Sequence, residues 1–456
     1  CYTMKKIRIA YIGGGSRGWA RGFMSDLAAQ EDFCGEVRLY DIDREAAEEN
    51  AVIGMKFNCA DQAKSHWKYS AKSREEALDG ADFVVISILP GTFDEMESDV
   101  HTPEKYGIYQ SVGDTVGPGG IIRALRTIPM MEEIAEAIQK CCPNAWVINY
   151  TNPMTVCMRT LYRVFPKIKA FGCCHEVFGT QNFLVNILKE TRGIKNIDRE
   201  EIKINVVGVN HFTWLTAASY QGEDLFPLYR QFALEHPEGT AIKSDDNWMN
   251  NSFASTEKVK LDLFLRYGYI AAAGDRHLAE FCRGSWYLKD PACVDHWHFG
   301  LTGVAWRKED LAKRLEKTKR LVSGEEDVQI VGTGEDGVKQ IRALLGLGDL
   351  ITNVNIPNAG QIPNLPLGVV VETNALFRAD SVQPVCAGEI PKEIYGLIAP
   401  VVGEQELVVE AGLRRDLQLA YCAFSEDNLV QLSPADSKAL FDEMVENTKS
   451  YLESYK

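Results

Sequence analysis

The feature that most constrains the fold of this chain is a glycine-rich turn near its amino terminus. Lys6 to Ile12 has the pattern of a buried strand, and the residues after the turn, through about Ala29, have the pattern of an amphipathic helix. Gly13, Gly15 and Gly18 stand between them at the spacing G-x-G-x-x-G. These glycines allow a tight turn, close approach of a pyrophosphate, and close packing of helix on strand. The turn predicts a dinucleotide-binding unit.

An acidic residue at the end of the second predicted strand indicates which dinucleotide binds. Asp41 lies about 20 residues after Gly18, where a carboxylate accepts hydrogen bonds from a ribose 2′-hydroxyl and repels a 2′-phosphate. We therefore expect NAD rather than NADP, bound by the glycines together with Ser16, Arg17 and Asp41. A glycine-rich turn that holds no ligand is the alternative interpretation.

Strand and helix patterns alternate over the first third of the chain. Phe83 to Leu89 is a continuous apolar run, as in a strand that is buried on both faces, and Ala145 to Asn149 follows a long helix. The alternation predicts an α/β fold with a Rossmann-type doubly wound parallel sheet over residues 4–168. Residues 169–456 are expected to form a mixed α+β lobe that binds metal and substrate, with Val322 to Gly337 as a loop excursion or lid.

Composition excludes some classes of function. The net charge of −15 argues against a general nucleic acid binder, because affinity for phosphate backbones depends on Lys and Arg. No apolar run approaches the roughly 20 residues of a membrane-spanning helix, so we expect a cytoplasmic protein. The 12 cysteines include two pairs that are consecutive in the sequence, Cys141-Cys142 and Cys173-Cys174. This spacing suits reduced thiols or a metal site better than disulfides.

Cys174 and His211 are candidate metal ligands. A thiolate and an imidazole can hold a divalent ion and leave positions open for substrate oxygens, as a catalytic site requires. The spacing alone is a weak signal, because 37 residues separate the two. The alternative is a buried core thiol and a hydrogen-bonded strand histidine.

Two further segments carry groups suited to binding or proton transfer. Asn152 follows a predicted parallel strand, at the edge where open α/β sheets bind ligands, although an Asn-Pro turn that merely starts the next helix is equally compatible. Asp275, Arg276 and His277 place an acid, a cation and a titratable base together. A surface ion pair is the alternative for the acid and the arginine.

Taken together, these segments resemble glycoside hydrolase family 4, the NAD- and manganese-dependent glycosidases. The resemblance covers almost the whole chain, and several motifs occur in the family's order. They are the opening fingerprint, Gly113–Gly120, Asn149–Pro153, Cys174–Val177, Asn210-His211, Gly274–His277, Asn355–Asn358 and Ile362–Pro366.

The resemblance implies a substrate class, two cofactors and a fold for the second lobe. It implies that Cys174 and His211 hold Mn²⁺, that Asn152 contacts the sugar, and that the second lobe is similar to that of lactate and malate dehydrogenases. Cys-His-Glu-Val from Cys174 looks like the α-galacturonidase group. Leu89 stands where members that act on 6-phospho-sugars tend to have an arginine, so a non-phosphorylated sugar acid is favoured.

The mechanism that the resemblance implies is redox neutral. The sugar is oxidised by NAD at C3, loses its C2 proton, eliminates the aglycone, adds water and is reduced again. Manganese assists the deprotonation. This mechanism differs from the usual glycoside hydrolysis by two carboxylates. Asp275 is carried over as the C2 base. His175 is the candidate acid for the leaving group, with Glu176 as its rival.

Several alternatives stay open at this point. The same family includes α-glucosidases, and an α-glucuronidase is also compatible with these residues. Two other interpretations are an NAD-dependent dehydrogenase of the lactate or malate type and a catalytically silent NAD or sugar sensor. Arg276 and Arg123 are candidates for binding a uronate carboxylate. We further expect a homo-oligomer, a dimer or tetramer, with neither nucleic acid nor membrane as partner.

Overall fold

The computed structural model describes residues 4–240, 255–301 and 303–456. A mixed sheet of nine strands, in the order β13-β12-β11-β6-β5-β4-β1-β2-β3, forms its centre. The six strands from β6 to β3 are parallel to one another, and β11, β12 and β13 extend the sheet in antiparallel fashion. The predicted doubly wound parallel sheet is therefore confirmed.

The strands of the described residues fall into two sheets. Their bounds are β1 Lys5–Ile12, β2 Phe33–Tyr40, β3 Trp67–Ala71, β4 Phe83–Ile86, β5 Trp146–Asn149, β6 Lys169–Gly172, β7 Ile202–Val209, β8 Phe212–Tyr220, β9 Glu223–Asp224, β10 Ile270–Ala271, β11 Leu350–Pro357, β12 Val370–Arg378 and β13 Ser381–Pro384. The second sheet contains β10, β8 and β7, with β9 paired to β8.

Within the residues that the structure describes, helices cover both faces of the large sheet and outnumber strands in the second half. The α-helices are α1 Trp19–Ala29, α2 Arg44–Phe57, α3 Arg74–Leu78, α4 Phe93–His101, α5 Gly117–Cys141, α6 Met154–Val164, α7 Glu176–Arg192, α8 Phe226–Glu235, α9 Lys258–Tyr267, α10 Asp275–Phe281, α11 Gly284–Tyr287, α12 Pro291–His296, α13 Val304–Ser323, α14 Gly337–Leu344, α15 Lys392–Arg414, α16 Leu417–Glu426 and α17 Pro434–Asn447. Short 3-10 helices are Thr102–Tyr106, Arg199–Glu201 and Lys449–Tyr451.

The apolar character of the central strands follows from their position in the sheet. All four residues of β4 are buried, and the last four residues of β1 are buried as well. One core cluster includes Ile9 and Val85, and another includes Ile12 and Val84. Successive residues of a strand point to opposite faces, so a strand with helices on both faces has no polar side.

The large sheet crosses the predicted domain boundary at residue 168. Strand β6 pairs with β5 in parallel, and Asn355 of β11 pairs with Gly172 of β6. Residues from the second part of the chain thus complete the sheet of the first part. The boundary itself stays a prediction.

The segment expected to be a lid is a loop attached to the first helix. Ser25 Oγ donates to Val331 O at 3.0 Å, Val331 N donates back to Ser25 Oγ at 2.9 Å, and Thr333 N donates to Asp26 Oδ1 at 3.2 Å. Helix α13, which precedes the loop, packs on the same region, since Arg21 Nη2 donates to Thr318 Oγ1 at 2.5 Å. These contacts fix the loop beside the glycine turn.

A buried pair of acids anchors the start of α5. Asp427 Oδ2 accepts from Gly117 N at 2.9 Å, and Asp427 Oδ1 accepts from Leu429 N at 2.8 Å. Burial raises the pKa of Glu404 well above its ordinary value, and the neighbouring Asp427 raises it further. Burial also raises the pKa of Asp427. Glu404 is therefore protonated and donates a hydrogen bond to the Asp427 carboxylate.

Two properties of the described residues bear on the expectations from composition. None of the helices there has both the length and the apolar character that crossing a membrane requires. The 11 cysteines in that part of the chain are all free thiols.

Candidate active site

A large cleft opens at the carboxyl edge of the parallel strands. Its volume is about 1480 Å³, and its walls include Gly18, Asn152, Cys174, His211 and His277. The turns that follow β1, β5 and β6 meet at this edge. Because β1 lies between β2 and β4, the cleft is at the topological switch point of the sheet, where open α/β folds bind ligands.

The glycine turn has the close contacts that its sequence predicts. Gly13 has φ +90°, and a Cβ there would lie 1.9 Å from Ser87 O. Gly15 N donates to Asp41 Oδ2 at 2.9 Å, and Asp43 N donates to Asp41 Oδ1 at 2.9 Å. The Asp41 carboxylate is thus held against the turn at the end of β2. The ribose of a dinucleotide lies at this position in folds of this kind.

The third glycine has a different neighbour from the one expected. A Cβ on Gly18 would meet the Arg314 guanidinium of α13 at 2.6 Å, and no strand atom lies within 4 Å of that position. The glycine therefore makes room for a cation beside the amino terminus of α1. Ser16 Oγ accepts from Ala20 N at 3.4 Å, and Arg17 Nη2 lies 3.9 Å from Asp43 Oδ2, so both predicted residues flank the turn.

Asp114, His211 and His277 form a compact group of potential metal ligands. Their ligand atoms all lie within 4.8 Å of one another. Thr115 Oγ1 donates to Asp114 Oδ1 at 2.7 Å and lies 2.8 Å from His211 Nδ1. A carboxylate only accepts, so the threonine hydroxyl gives its proton to Asp114 and accepts from His211 Nδ1–H. His211 Nε2 consequently carries the lone pair that a metal needs.

His211 reaches this group from the tip of a two-residue hairpin. Val209 of β7 pairs with Phe212 of β8, and His211 between them has φ +65°, which is uncommon for a residue other than glycine. The alternative interpretation made His211 a strand residue, whereas β8 begins one residue later. Asn210 Nδ2 donates to Glu372 Oε1 at 3.0 Å and fixes the hairpin.

Burial sets the protonation states of the group. It lowers the pKa of His211 to about 3, with the neighbouring His277 adding to the shift, and it lowers the pKa of His277 as well. Burial opposes ionisation of Asp114, but His211, His277 and Arg123 outweigh it and hold the pKa of this carboxyl below its ordinary value. At neutral pH the group offers two neutral imidazoles and a carboxylate, the forms that bind metal ions.

Cys174 lines the same cleft but does not belong to that compact group. The pKa of its thiol lies well above the ordinary value because the thiol is buried and because Glu372 and Glu176 lie near it. The Asn210 side chain hydrogen-bonds to the thiol. A metal that bound Cys174 would therefore have to displace a proton.

Asn152 is oriented by two neighbours. Its Nδ2 lies 3.4 Å from Asp114 Oδ2, and its backbone oxygen accepts from Arg123 Nε at 3.0 Å. Within the described part of the chain its buried Oδ1 has no hydrogen-bond partner. The peptide bond from Asn152 to Pro153 is cis. The amide thus presents an unused acceptor at the cleft, which suits a sugar hydroxyl.

His175 and Glu176 lie side by side at the start of α7. His175 Nδ1 is 3.0 Å from Glu335 Oε1, and the hydrogen bond that His175 donates to this carboxylate raises the pKa of His175 to about 9. Glu176 Oε2 accepts from Gly274 N at 2.7 Å, and Glu176 Oε1 is 3.6 Å from His277 Nε2. Burial raises the pKa of Glu176, but His277 and His175 outweigh it and hold the value at about 2.

Asp275 and Arg276 begin α10, directly after Gly274, which contacts Glu176. Asp275 Oδ2 and Oδ1 each accept a backbone N–H of α9, from Val259 and Lys260, at 3.1 Å. Burial, with repulsion from Glu257, raises the pKa of Asp275 to about 7. Arg276 Nη2 donates to Ser111 O at 2.8 Å. Both residues line the cleft, so neither forms the surface ion pair that was the alternative.

Sequence reasoning did not identify Asp114, Arg307 and Glu335 of the cleft as site residues, and it gave His277 as a titratable base rather than as a potential metal ligand. Asp114 and His277 lie inside segments that the motifs had singled out, Gly113–Gly120 and Gly274–His277. The isolated Arg307 in a helix and Glu335 in a loop gave no local signal.

Comparison with known proteins gives one consistent result. The family model described as family 4 glycosyl hydrolase matches residues 8–190, and the model of the family 4 glycosyl hydrolase C-terminal domain matches residues 206–430. An α-galacturonidase of Thermoanaerobacterium saccharolyticum is 61% identical over 452 residues, which are 99% of this chain and 97% of that protein. An α-galacturonidase of Bacillus subtilis is 51% identical over 445 residues, with coverage of 97% and 98%.

A solved structure shares the fold over the same extent. The crystal structure of lplD from Bacillus subtilis, described as a glucosidase, superimposes with a TM-score of 0.92 at 52% identity. The match covers 97% of this chain and 100% of that one.

Proposed function

This chain belongs to glycosyl hydrolase family 4, and we propose that it hydrolyses α-galacturonides with NAD and a divalent metal ion such as Mn²⁺. Both curated relatives described above have that activity and align with almost the whole chain. This full-length similarity is the observation that carries the proposal. An α-glucosidase or α-glucuronidase of the same family would be the nearest departure from it.

The glycine turn fits NAD. Gly13 allows the turn to pack closely against Ser87, because the Cβ of any other residue would collide with Ser87 O. The amino terminus of α1 beside the turn favours an anion. The Asp41 carboxylate faces the same turn and would repel a 2′-phosphate. Arg314 adds a positive charge next to Gly18.

The donor set opposite the turn fits a divalent metal ion. His211 offers Nε2, and His277 and Asp114 converge on the same point within 4.8 Å. We propose that His211 and Cys174 hold the ion, as predicted, and that Asp114 and His277 lie within reach of it. When bound, NAD supplies a hydride acceptor for C3 of the sugar, and the metal ion polarises the C2 and C3 oxygens.

The protein's own residues bind the sugar and move protons around it. We propose that the free Oδ1 of Asn152 accepts a hydrogen bond from a ring hydroxyl. Asp275 is the proposed base for the C2 proton. Because both of its oxygens already accept backbone N–H groups, its carboxylate is held in a fixed position.

The proposed acid for the leaving group is His175 rather than Glu176. Glu176 accepts a hydrogen bond from Gly274 N and lies against two imidazoles, so its carboxylate acts as an acceptor in this arrangement. The His175 side chain is 55% exposed at the cleft. Its Nδ1 contacts Glu335, and its Nε2 lies 3.8 Å from Glu176 Oε1. A donor that serves the leaving group needs such an open position.

The experiment that tests the proposed function is hydrolysis of 4-nitrophenyl α-galacturonide in deuterated buffer with NAD, Mn²⁺ and reductant. We expect nitrophenol release without accumulation of NADH, which its fluorescence reports, and deuterium at C2 of the released sugar. Stoichiometric NADH would indicate a dehydrogenase instead, and faster hydrolysis of the α-glucoside or α-glucuronide would identify a different substrate. Release of sugar without deuterium would contradict C2 deprotonation.

A further inference from the structure

Arg307 is a guanidinium of the cleft whose partner is not in the protein. It lies half-buried in the first turn of α13 and lines the cleft together with Arg276. No hydrogen bond or ion pair joins it to any residue in the described ranges, whereas the adjacent Lys308 pairs with Asp94 and Glu97 on the outside of the helix. Burying an arginine without a partner is costly, so its position indicates a ligand.

Arg276 brings a second positive charge to the same place. Its side chain is only 9% exposed and is held by the Ser111 carbonyl. Burial and repulsion from the charge of Arg307 together lower the pKa of Arg276 to about 10. An anion between them would relieve this repulsion.

The acid that attracts both arginines, Asp114, is already engaged. Asp114 attracts Arg307 and Arg276, but its oxygens also accept from Thr115 and face Asn152 and the two imidazoles. A further anion is therefore needed to pair with the Arg307 guanidinium.

We propose that Arg307, together with Arg276, binds the C6 carboxylate of the sugar and thereby selects uronates over neutral hexoses. This inference rests on the proposed function. The planar guanidinium matches a carboxylate through two parallel hydrogen bonds. A hexose with a C6 hydroxymethyl group would leave a desolvated charge without a partner, and such mismatches give strong discrimination.

The other arginines near the cleft have different roles. Arg123 was a candidate for the carboxylate, but its Nε donates to Asn152 O and it does not line the cleft. Arg314 lies at Gly18 beside the glycine turn and pairs with Asp310. Arg307 is thus the arginine whose place in the cleft is otherwise unexplained.

The test compares Arg307→Gln with Lys308→Gln, a matched loss of charge one residue away and outside the cleft. The holoenzyme with NAD and Mn²⁺ is assayed on 4-nitrophenyl α-galacturonide and on 4-nitrophenyl α-galactoside. We expect Arg307→Gln to lower the ratio of kcat/KM for the two substrates by about 10- to 100-fold, as loss of a charged hydrogen bond would. Lys308→Gln should keep the wild-type ratio, and Arg307→Lys should restore part of it.

Binding measurements separate the possible failures. Calorimetry of galacturonate binding to the wild-type holoenzyme and to Arg307→Gln should show the same 10- to 100-fold loss, while the Kd of NADH stays constant. Equal losses on both substrates, or weaker NADH binding, would overturn the inference and place Arg307 with Asp114 or with the dinucleotide. A wild-type enzyme that prefers the galactoside would overturn the proposed function, whereas an unchanged ratio in the variant of an active galacturonidase overturns the inference alone.

Discussion

The imidazole rings of His211 and His277 stack with their centroids 3.7 Å apart and their planes 28° from parallel. One comes from the β7–β8 hairpin, and the other comes from the first turn of α10. Both are neutral at neutral pH, because burial lowers the pKa of each. Stacking aligns their edges, so that nitrogen atoms from two distant segments face the Asp114 carboxylate.

Substitution of His277 should weaken metal binding as much as substitution of His211. We expect His277→Ala and His211→Ala each to raise the Kd for Mn²⁺ at least about tenfold, because each removes a donor or its support. Titration of the metal-free protein followed by electron paramagnetic resonance of free Mn²⁺ measures this directly. His66→Ala, on the exposed surface, is the control. Unaltered affinity in His277→Ala would leave Cys174 and His211 as the ligand pair.

Substitution of Asp41 should change the choice of dinucleotide. The wild-type protein is expected to bind NADH more tightly than NADPH, and Asp41→Ala should narrow this difference by about tenfold, since a repulsive carboxylate and a ribose acceptor are both lost. Fluorescence titration with the two reduced dinucleotides provides the comparison. Glu45→Gln removes an exposed acid of the neighbouring helix and should leave the difference unchanged. A wild-type preference for NADPH would refute the assignment of Asp41.

The role of Asp275 as base can be tested while one of its two contacts to α9 is kept. Asp275→Asn retains one oxygen that can accept from the backbone N–H of Val259 or Lys260, so we expect a folded protein that binds NAD but loses at least about 100-fold in kcat. Asp290→Asn alters a helix-capping carboxylate away from the cleft and is the matched control. Stopped-flow hydrolysis and deuterium uptake at C2 are the measurements. If exchange persists in Asp275→Asn and stops in Asp114→Asn, Asp114 is the base.

His175 should matter most for substrates with poor leaving groups. Nitrophenolate is a good leaving group and departs without protonation, whereas a sugar alkoxide must be protonated. A general acid therefore strongly accelerates only the cleavage of substrates with an alcohol leaving group. We expect His175→Gln to keep nitrophenyl galacturonide hydrolysis within about tenfold and to lose about 100-fold or more on a digalacturonide. Glu176→Gln serves as the comparison. The reverse pattern, with Glu176→Gln selective for the poor leaving group, would exchange the two roles.

The buried acids Glu404 and Asp427 should make stability depend on pH. Their folded-state pKa values are raised, so the stability they contribute is complete below the unfolded value and is lost as pH rises above it. Glu404→Gln mimics the protonated acid, and we expect its advantage in stability over the wild type to be larger at pH 8 than at pH 5, because each pH unit between the unfolded-state and folded-state pKa values costs the wild type about 1.4 kcal/mol. Urea unfolding at pH 5 and pH 8 measures the difference, with the exposed Glu393→Gln as control. An equal effect at both pH values would exclude the shared proton.

The parts of the fold that could be predicted are those encoded by local patterns. The glycine spacing at Gly13, the apolar runs of β1 and β4, and the position of Asn152 after β5 are all properties of short segments. Strand β3 was not predicted, because Trp67–Ala71 alternates apolar with polar residues over only five positions. The extension by β11 to β13 depends on pairing between residues as distant as Gly172 and Asn355.

The candidate site was predictable only where a short sequence motif marks the residue. His211 and Thr115 meet across 96 residues of sequence, and no periodicity encodes that approach. Arg307 belongs to a long helix with many charges, and only its direction into the cleft distinguishes it from Lys308. Proximity of this kind arises from the packing of whole helices and hairpins.

The pairing of β6 with β11 limits how this chain can be divided or recombined. A fragment that ended near residue 190 would expose the outer row of N–H and C=O groups of β6, and open edges of this kind recruit other strands. Production of the cofactor-binding half alone should therefore give aggregates. Chimeras between glycosidases that exchange this half would need to exchange Leu350–Pro384 with it.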